Sequence, residues 1–183
     1  MAEQMLVIID PQNDFTHSTG FYARKHSGIT QITEAKSNIS EVLNSFDRNR
    51  ILLVCSDYQP DQFEQGLSIC IPGTFGHQID ADFPIDNTHN IVIKTGHSCF
   101  SSNAFKKQLG AGKTNTLILC GYLAEYCVKQ TALDALEAGY HVLLVDDCIA
   151  TGDNVQHRKQ QTLVELKQKG ALIIKSKEFI SIK

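Results

Sequence analysis

Short apolar runs recur along the chain, and most stop abruptly at a polar residue or a glycine. Met5–Ile9 ends at Asp10-Pro11, Ile51–Cys55 at Ser56-Asp57, Ile91–Ile93 at Lys94, Thr116–Cys120 at Gly121 and His141–Val145 at Asp146-Asp147, with Ala171–Ile174 following. The runs are continuous rather than alternating, which predicts strands buried on both faces. Helical spacing fills the gaps. Thr30 or Thr33 can cap a helix to about Asp47 that carries Ile32, Ile39, Val42, Leu43 and Phe46 on one face. Phe100–Leu109 reads as a short helix ended by Gly110 and Gly112. A third helix begins after Gly121 and runs through Leu136, with Val128, Thr131, Ala132 and Ala135 as a small apolar face and Gly139 past its end. Val155–Lys169 is the last, closed by Gly170, and Phe179–Ile182 is either an edge strand or a tail.

Strands alternating with helices at this spacing predict a parallel sheet of about six strands with helices on both faces, in one domain over residues 1–183. Two stretches, 11–29 and 58–88, lack periodicity and read as long loops over the same edge. In such sheets ligands bind outside the carboxyl ends of the strands. Here those ends carry Asp10, Asp57, Lys94 and the Gly121–Cys127 turn.

Composition narrows the class. With 42% hydrophobic and 20% charged residues the chain is an ordinary globular one, and its net charge of -3 with scattered basic residues gives no footprint for nucleic acid or an acidic membrane. No run approaches the roughly 20 apolar residues of a membrane helix, and no leader pattern opens the chain, so a cytoplasmic setting is expected. The six cysteines include no Cys-x-x-Cys pair and are expected as free thiols.

Cys127 stands where a helical pattern begins. Most cysteines are small buried hydrophobes. One at a helix start beside a cation, however, can have its pKa lowered from about 8.5 to roughly 3.5–7.5 and act as a nucleophile. Asp10 can take the thiol proton and return it to a leaving group, Lys94 can favour the thiolate, and backbone amides of the turn can hold an oxyanion.

Ile8–Phe15 (IIDPQNDF), Ile93-Lys94 with Ser98-Cys99-Phe100, and Gly121–Val128 (GYLAEYCV) with Thr131–Ala135 resemble the isochorismatase-like cysteine hydrolases. Pro72–Gly76, Gly139-Tyr140, Asp146-Asp147 and His157 extend the resemblance over nearly the whole chain. It implies a three-layer α/β/α fold with a six-stranded parallel sheet, an Asp10, Lys94 and Cys127 triad, a cis peptide at Tyr122–Leu123, and an oxyanion hole from the amides of Leu123 and Cys127. It also implies hydrolysis of a C–N bond through a thioester, and a homo-oligomer, dimer or tetramer. Members that cleave the vinyl ether of isochorismate lack the cysteine.

The Gly121–Val128 stretch looks most like nicotinamidases, whose metal site takes an Asp-x-His and a further His. Here Asp57 is followed by Gln59, and Ile69 stands at the other position, so no metal and no other cofactor is expected. The absence of Trp removes an aromatic wall common in nicotinamidases. Phe15, Asp57, Gln59 and Tyr122 are the candidate pocket residues, with His17, His77 and His97 on rim segments, Cys70 and Cys99 nearby, and Cys55 and Cys120 in the core. His89 and His141 read as strand-edge residues and His157 as structural. The expected activity is metal-independent cleavage of a small amide, carbamoyl or ureido compound, with no nucleic-acid or membrane partner. The alternatives are a nicotinamidase lacking the usual metal ligands and a catalytically idle binding or assembly member.

Overall fold

A computed structural model describes residues 3–111 and 113–182. Its sheet has six parallel strands, β1 (Glu3–Ile9), β2 (Ile51–Ser56), β3 (Asn90–Lys94), β4 (Thr114–Tyr122), β5 (His141–Ala150) and β6 (Leu172–Ile174), in the order β3-β2-β1-β4-β5-β6. The central strand explains the continuous apolar runs. Leu6 and Ile8 point into one apolar cluster while Val7 and Ile9 point into the other, and all four are fully buried. Each such side chain contributes about 1.5–3 kcal/mol on burial.

Two short helices, α1 (Asn13–Thr16) and α2 (Phe21–Lys25), occupy the stretch after β1 that periodicity leaves irregular. The next helix, α3 (Thr30–Ser45), covers one face of the sheet with Ile32, Ile39, Val42 and Leu43. The opposite face is covered by α4 (Asn103–Ala111), α5 (Lys129–Glu137) and α6 (Gln156–Gln168) through Phe105, Leu109, Ala132, Ala135 and Leu166. These layers are the expected α/β/α arrangement. The cap of α3 comes from far along the chain: the Asp153 carboxylate accepts from the amides of Thr30 and Gln31 at 2.8 and 2.9 Å, so neither Thr30 nor Thr33 supplies it. None of the described helices is long and apolar enough to cross a membrane.

Several boundaries move. Gly110 lies inside α4, and Gly112 lies outside the described residues. Strand β5 runs past Asp146-Asp147, because its register against β4 slips between Leu119↔Leu144 and Gly121↔Ile149. The slip turns two carboxylates into anchors: Asp146 pairs with Lys159 and Lys175, and Asp147 accepts from the amide and hydroxyl of Ser176. That second contact sits at the start of α7 (Ser176–Ser181), so the last apolar residues form a helix rather than a strand, with Phe179 stacked on Phe46. His157 is exposed on α6, contrary to a structural role, while His89 is buried just before β3 and His141 is exposed at the start of β5.

Gly121 is where β4 must approach β1. Its φ is +120°, and a Cβ there would stand 2.1 Å from the Ile9 carbonyl oxygen. Gly121→Ala should therefore destabilise the protein by about 2–4 kcal/mol in urea unfolding, combining backbone strain with a steric clash. Gly110→Ala, in open space within a helix, should instead stabilise by about 0.5–1 kcal/mol. Equal midpoints for the two variants would contradict the assignment.

Candidate active site

The strand order reverses between β1 and β4, which places a crevice at their carboxyl ends. Asp10 follows β1 directly, with φ +55°, a left-handed conformation that aspartate tolerates better than most residues. Ser56 and Lys94 close β2 and β3 and are register partners. Lys94 Nζ lies 3.1 Å from Asp10 Oδ2 and donates to Ser56 Oγ (2.7 Å), Tyr58 OH (2.8 Å) and the Gly96 carbonyl (3.2 Å). Ser56 Oγ in turn donates to Asp10 Oδ1 at 2.7 Å. Both charged side chains are completely buried.

Gln12 holds this arrangement in register. Its Oε1 accepts from the Ser56 amide at 2.7 Å, and its Nε2 donates to the Ser56 and His77 carbonyls. Sequence reasoning missed Gln12, Ser56 and Tyr58 as site residues. The available signal was their position: each lies within two residues of a strand end already assigned to the rim.

Cys127 arrives from the other side. The Tyr122–Leu123 peptide is cis, and a π-helical turn, Ala124–Val128, leads into α5, with the Leu123 carbonyl accepting from the amides of Tyr126 and Val128. Sγ lies 3.4 Å from Lys94 Nζ, 3.5 Å from Tyr58 OH and 3.9 Å from His97 Nδ1. The structure thus brings Asp10, Lys94 and Cys127 together. Burial pushes the Cys127 thiol up to about 12, and the Asp10 charge adds to this, while Lys94 and the Tyr58 hydrogen bond pull the other way. The expectation of a lowered pKa is therefore overturned, because burial and a neighbouring carboxylate outweigh one cation. For Lys94, burial alone would lower the pKa, but Asp10 and the surrounding groups hold it well above its ordinary value. The resting site is an ion pair beside a neutral thiol.

A cavity of about 310 Å³ opens over the sulfur, with Phe15, Leu123 and Ile69 among its apolar walls. Phe63 stacks on His97 at 4.1 Å between centroids, and Tyr126 tilts against the same imidazole at 5.6 Å. This aromatic wall forms without Trp, and from residues other than the expected Tyr122. The other candidate pocket residues lie elsewhere. Strand alternation sends Tyr122, with Ile118 and Cys120, to the α3 face, where its hydroxyl donates to the Ile32 carbonyl. Asp57 is hydrogen-bonded to His77, and Gln59 is exposed with its amide bonded to Gln62, all off the cavity wall. His17 packs edge-on against Phe75, and Cys70 and Cys99 are buried behind the wall, like Cys55 and Cys120 in the core. Of the three rim histidines, His97 reaches the cavity.

A family model described as the isochorismatase domain matches residues 4–178. The chain belongs to that family. Among its relatives, the secreted isochorismatase effector Isc1 of Verticillium dahliae is 24% identical over 151 residues, covering 82% of this chain and 74% of that protein. Streptothricin hydrolase of Streptomyces noursei is 27% identical over 150 residues, covering 82% of this chain but only 50% of that protein's length. Among solved structures, nicotinamidase PncA from Bacillus subtilis superposes with a TM-score of 0.79 at 20% identity, covering 96% of this chain and 100% of that one, a likeness that shows the shared fold.

The residues at the metal position that the resemblance implies do not fit a metal here. Ile69 contributes apolar wall, Gln59 faces solvent, and the Asp57 carboxylate is engaged by His77. Among the described residues no three His, Cys, Asp or Glu side chains converge as a ligand set.

The raised thiol pKa makes reactivity a direct measurement. Alkylation of Cys127 by iodoacetamide, followed by site-resolved mass spectrometry, should rise about tenfold per pH unit from 7 to 10 and stay at least ~100-fold slower than a free cysteine at pH 8. A plateau reached by pH 8 would contradict a neutral resting thiol.

Proposed function

We propose that the protein is a metal-independent cysteine hydrolase that cleaves a C–N bond in a small amide, carbamoyl or ureido compound. The observation that carries this reading is the convergence of Lys94 and Asp10 behind Cys127, whose side chain lines one cavity: Cys127 Sγ lies 3.4 Å from Lys94 Nζ, and Lys94 Nζ lies 3.1 Å from Asp10 Oδ2. Asp10 Oδ2 faces the Lys94 ammonium at 3.1 Å without a well-aligned hydrogen bond among the described residues, which leaves it able to take a proton. As substrate enters, Asp10 takes the Cys127 proton while Sγ attacks the carbonyl carbon. Lys94 stays protonated and neutralises the site, and the amides of Leu123 and Cys127 receive the oxyanion. Collapse breaks the C–N bond, the amine leaves with the proton from Asp10, and water then hydrolyses the thioester.

The cavity volume supports a small substrate, at the lower limit of the roughly 300–1,000 Å³ of ligand pockets. Likeness to a streptothricin hydrolase and to nicotinamidase structures is consistent with amide chemistry. A second reading, a nicotinamidase without the usual metal ligands, is favoured by the Phe63–His97–Tyr126 wall, which suits a flat ring.

The test is amine or ammonia release from a panel of small amides, carbamoyl and ureido compounds that includes nicotinamide. At least one should be turned over. Cys127→Ala should abolish that turnover, and Asp10→Asn should lower kcat by about 10²–10⁴-fold, the range of a general base. Retained turnover in Cys127→Ala would sink the mechanism, and inactivity across the panel would favour an idle binding protein.

A further inference from the structure

We infer that His97 is the base of the second half-reaction, taking a proton from the water that attacks the thioester and passing it to the Cys127 sulfur. This role rests on the thioester chemistry proposed above. Asp10 and Lys94 are completely buried and form no part of the cavity wall, whereas His97 is half-buried on that wall with Nδ1 3.9 Å from Sγ. Once Cys127 is acylated, its acyl group stands between Asp10 and the cavity, and water reaches the carbonyl from the side His97 occupies. The imidazole is also held. Its stack on Phe63, 16° from parallel, and its contact with Tyr126 fix the ring while the Nδ1 edge faces the sulfur.

The step balances with no further reagent. The water oxygen forms a bond to the acyl carbon and its proton goes to Nδ1. The C–S bond then breaks, Sγ takes that proton, and the acid departs, leaving His97 neutral and Cys127 a thiol. Around the imidazole lie Lys94 and Asp10 from the strand ends, Tyr58 after β2, Tyr126 and Cys127 from the π-helical turn, and Glu64 and Lys25 on the same cavity wall. Burial and the Lys94 charge push the His97 pKa down, with Asp10 opposing, so the ring is neutral and able to accept a proton at pH 7.

The two half-reactions separate with p-nitrophenyl acetate, whose p-nitrophenolate burst reports acylation and whose steady state reports deacylation. The wild type should give a burst that Cys127→Ala lacks. His97→Phe, which keeps a ring against Phe63, should lose about 100-fold or more in deacylation, the usual scale of a general base, and at least about tenfold more than it loses in burst rate. Intact mass should then show acetyl-Cys127 accumulating. Wild-type deacylation should rise with pH through an inflection below the ordinary histidine range, and this inflection should vanish in His97→Phe. His97→Gln, a polar replacement, should reproduce the defect if the Phe variant folds poorly. Wild-type deacylation in either folded variant, or a parallel fall in both steps with the inflection kept, would overturn the role of His97 alone. Absence of a Cys127-dependent burst in the wild type would overturn the thioester reading as well.

Discussion

The buried ion pair between Asp10 and Lys94 is the constraint on which the rest of the site depends. Removing two charges from water costs several kcal/mol per ion, and their attraction offsets this only with good geometry and further hydrogen bonds. The fold supplies both. Ser56 bridges the pair, Tyr58 and the Gly96 carbonyl take up ammonium protons, and Gln12 locks the end of β2 to the loop after β1. Asp10, Ser56 and Lys94 stand at three adjacent strand ends, so their spacing is set by sheet register, and Gln12, Tyr58 and Gly96 complete the bonding from the loops that follow.

The same pair governs Cys127. Gly121 lets β4 run against the Ile9 carbonyl, and the π-helical turn then lowers the sulfur into the ion pair's field. Because burial, and after it the Asp10 charge, outweigh what Lys94 favours, the thiol remains neutral at rest. In the proposed mechanism this arrangement serves proton transfer coupled to attack, with the thiolate formed as the carbonyl accepts it. A standing thiolate, by contrast, would be open to alkylation and oxidation. The cavity above the sulfur, with its Phe63–His97 stack, has room for a compact molecule.

Much of this was legible in the chain. Strands buried on both faces announce themselves as MLVII and ILLVC, and a parallel sheet then brings their ends, hence Asp10, Lys94 and Cys127, to one rim. What stayed hidden depends on contacts across the sequence. Asp153 caps α3 from more than 120 residues away, and the slip in β5 that makes Asp146 and Asp147 anchors has no periodic signature. Tyr122 lies off the pocket because β4 runs two residues past Cys120, and alternation then puts Tyr122 on the same face as Ile118 and Cys120. Phe63 sits in an aperiodic stretch, so its stack on His97 could be seen only in three dimensions. The thiol's pKa depends likewise on its degree of burial, which spacing does not encode.

A double-mutant cycle on the ion pair tests the account most directly, with Asp10→Asn, Lys94→Met and the double variant compared by chemical denaturation. Each single change leaves a charge or polar group buried without its partner and should cost about 3–5 kcal/mol. The double variant should be less destabilised than the sum of the singles by more than about 2 kcal/mol, a coupling expected only of groups in direct contact. Additive losses would show that Asp10 and Lys94 do not act as one buried unit, and the account of the site built on them would fail.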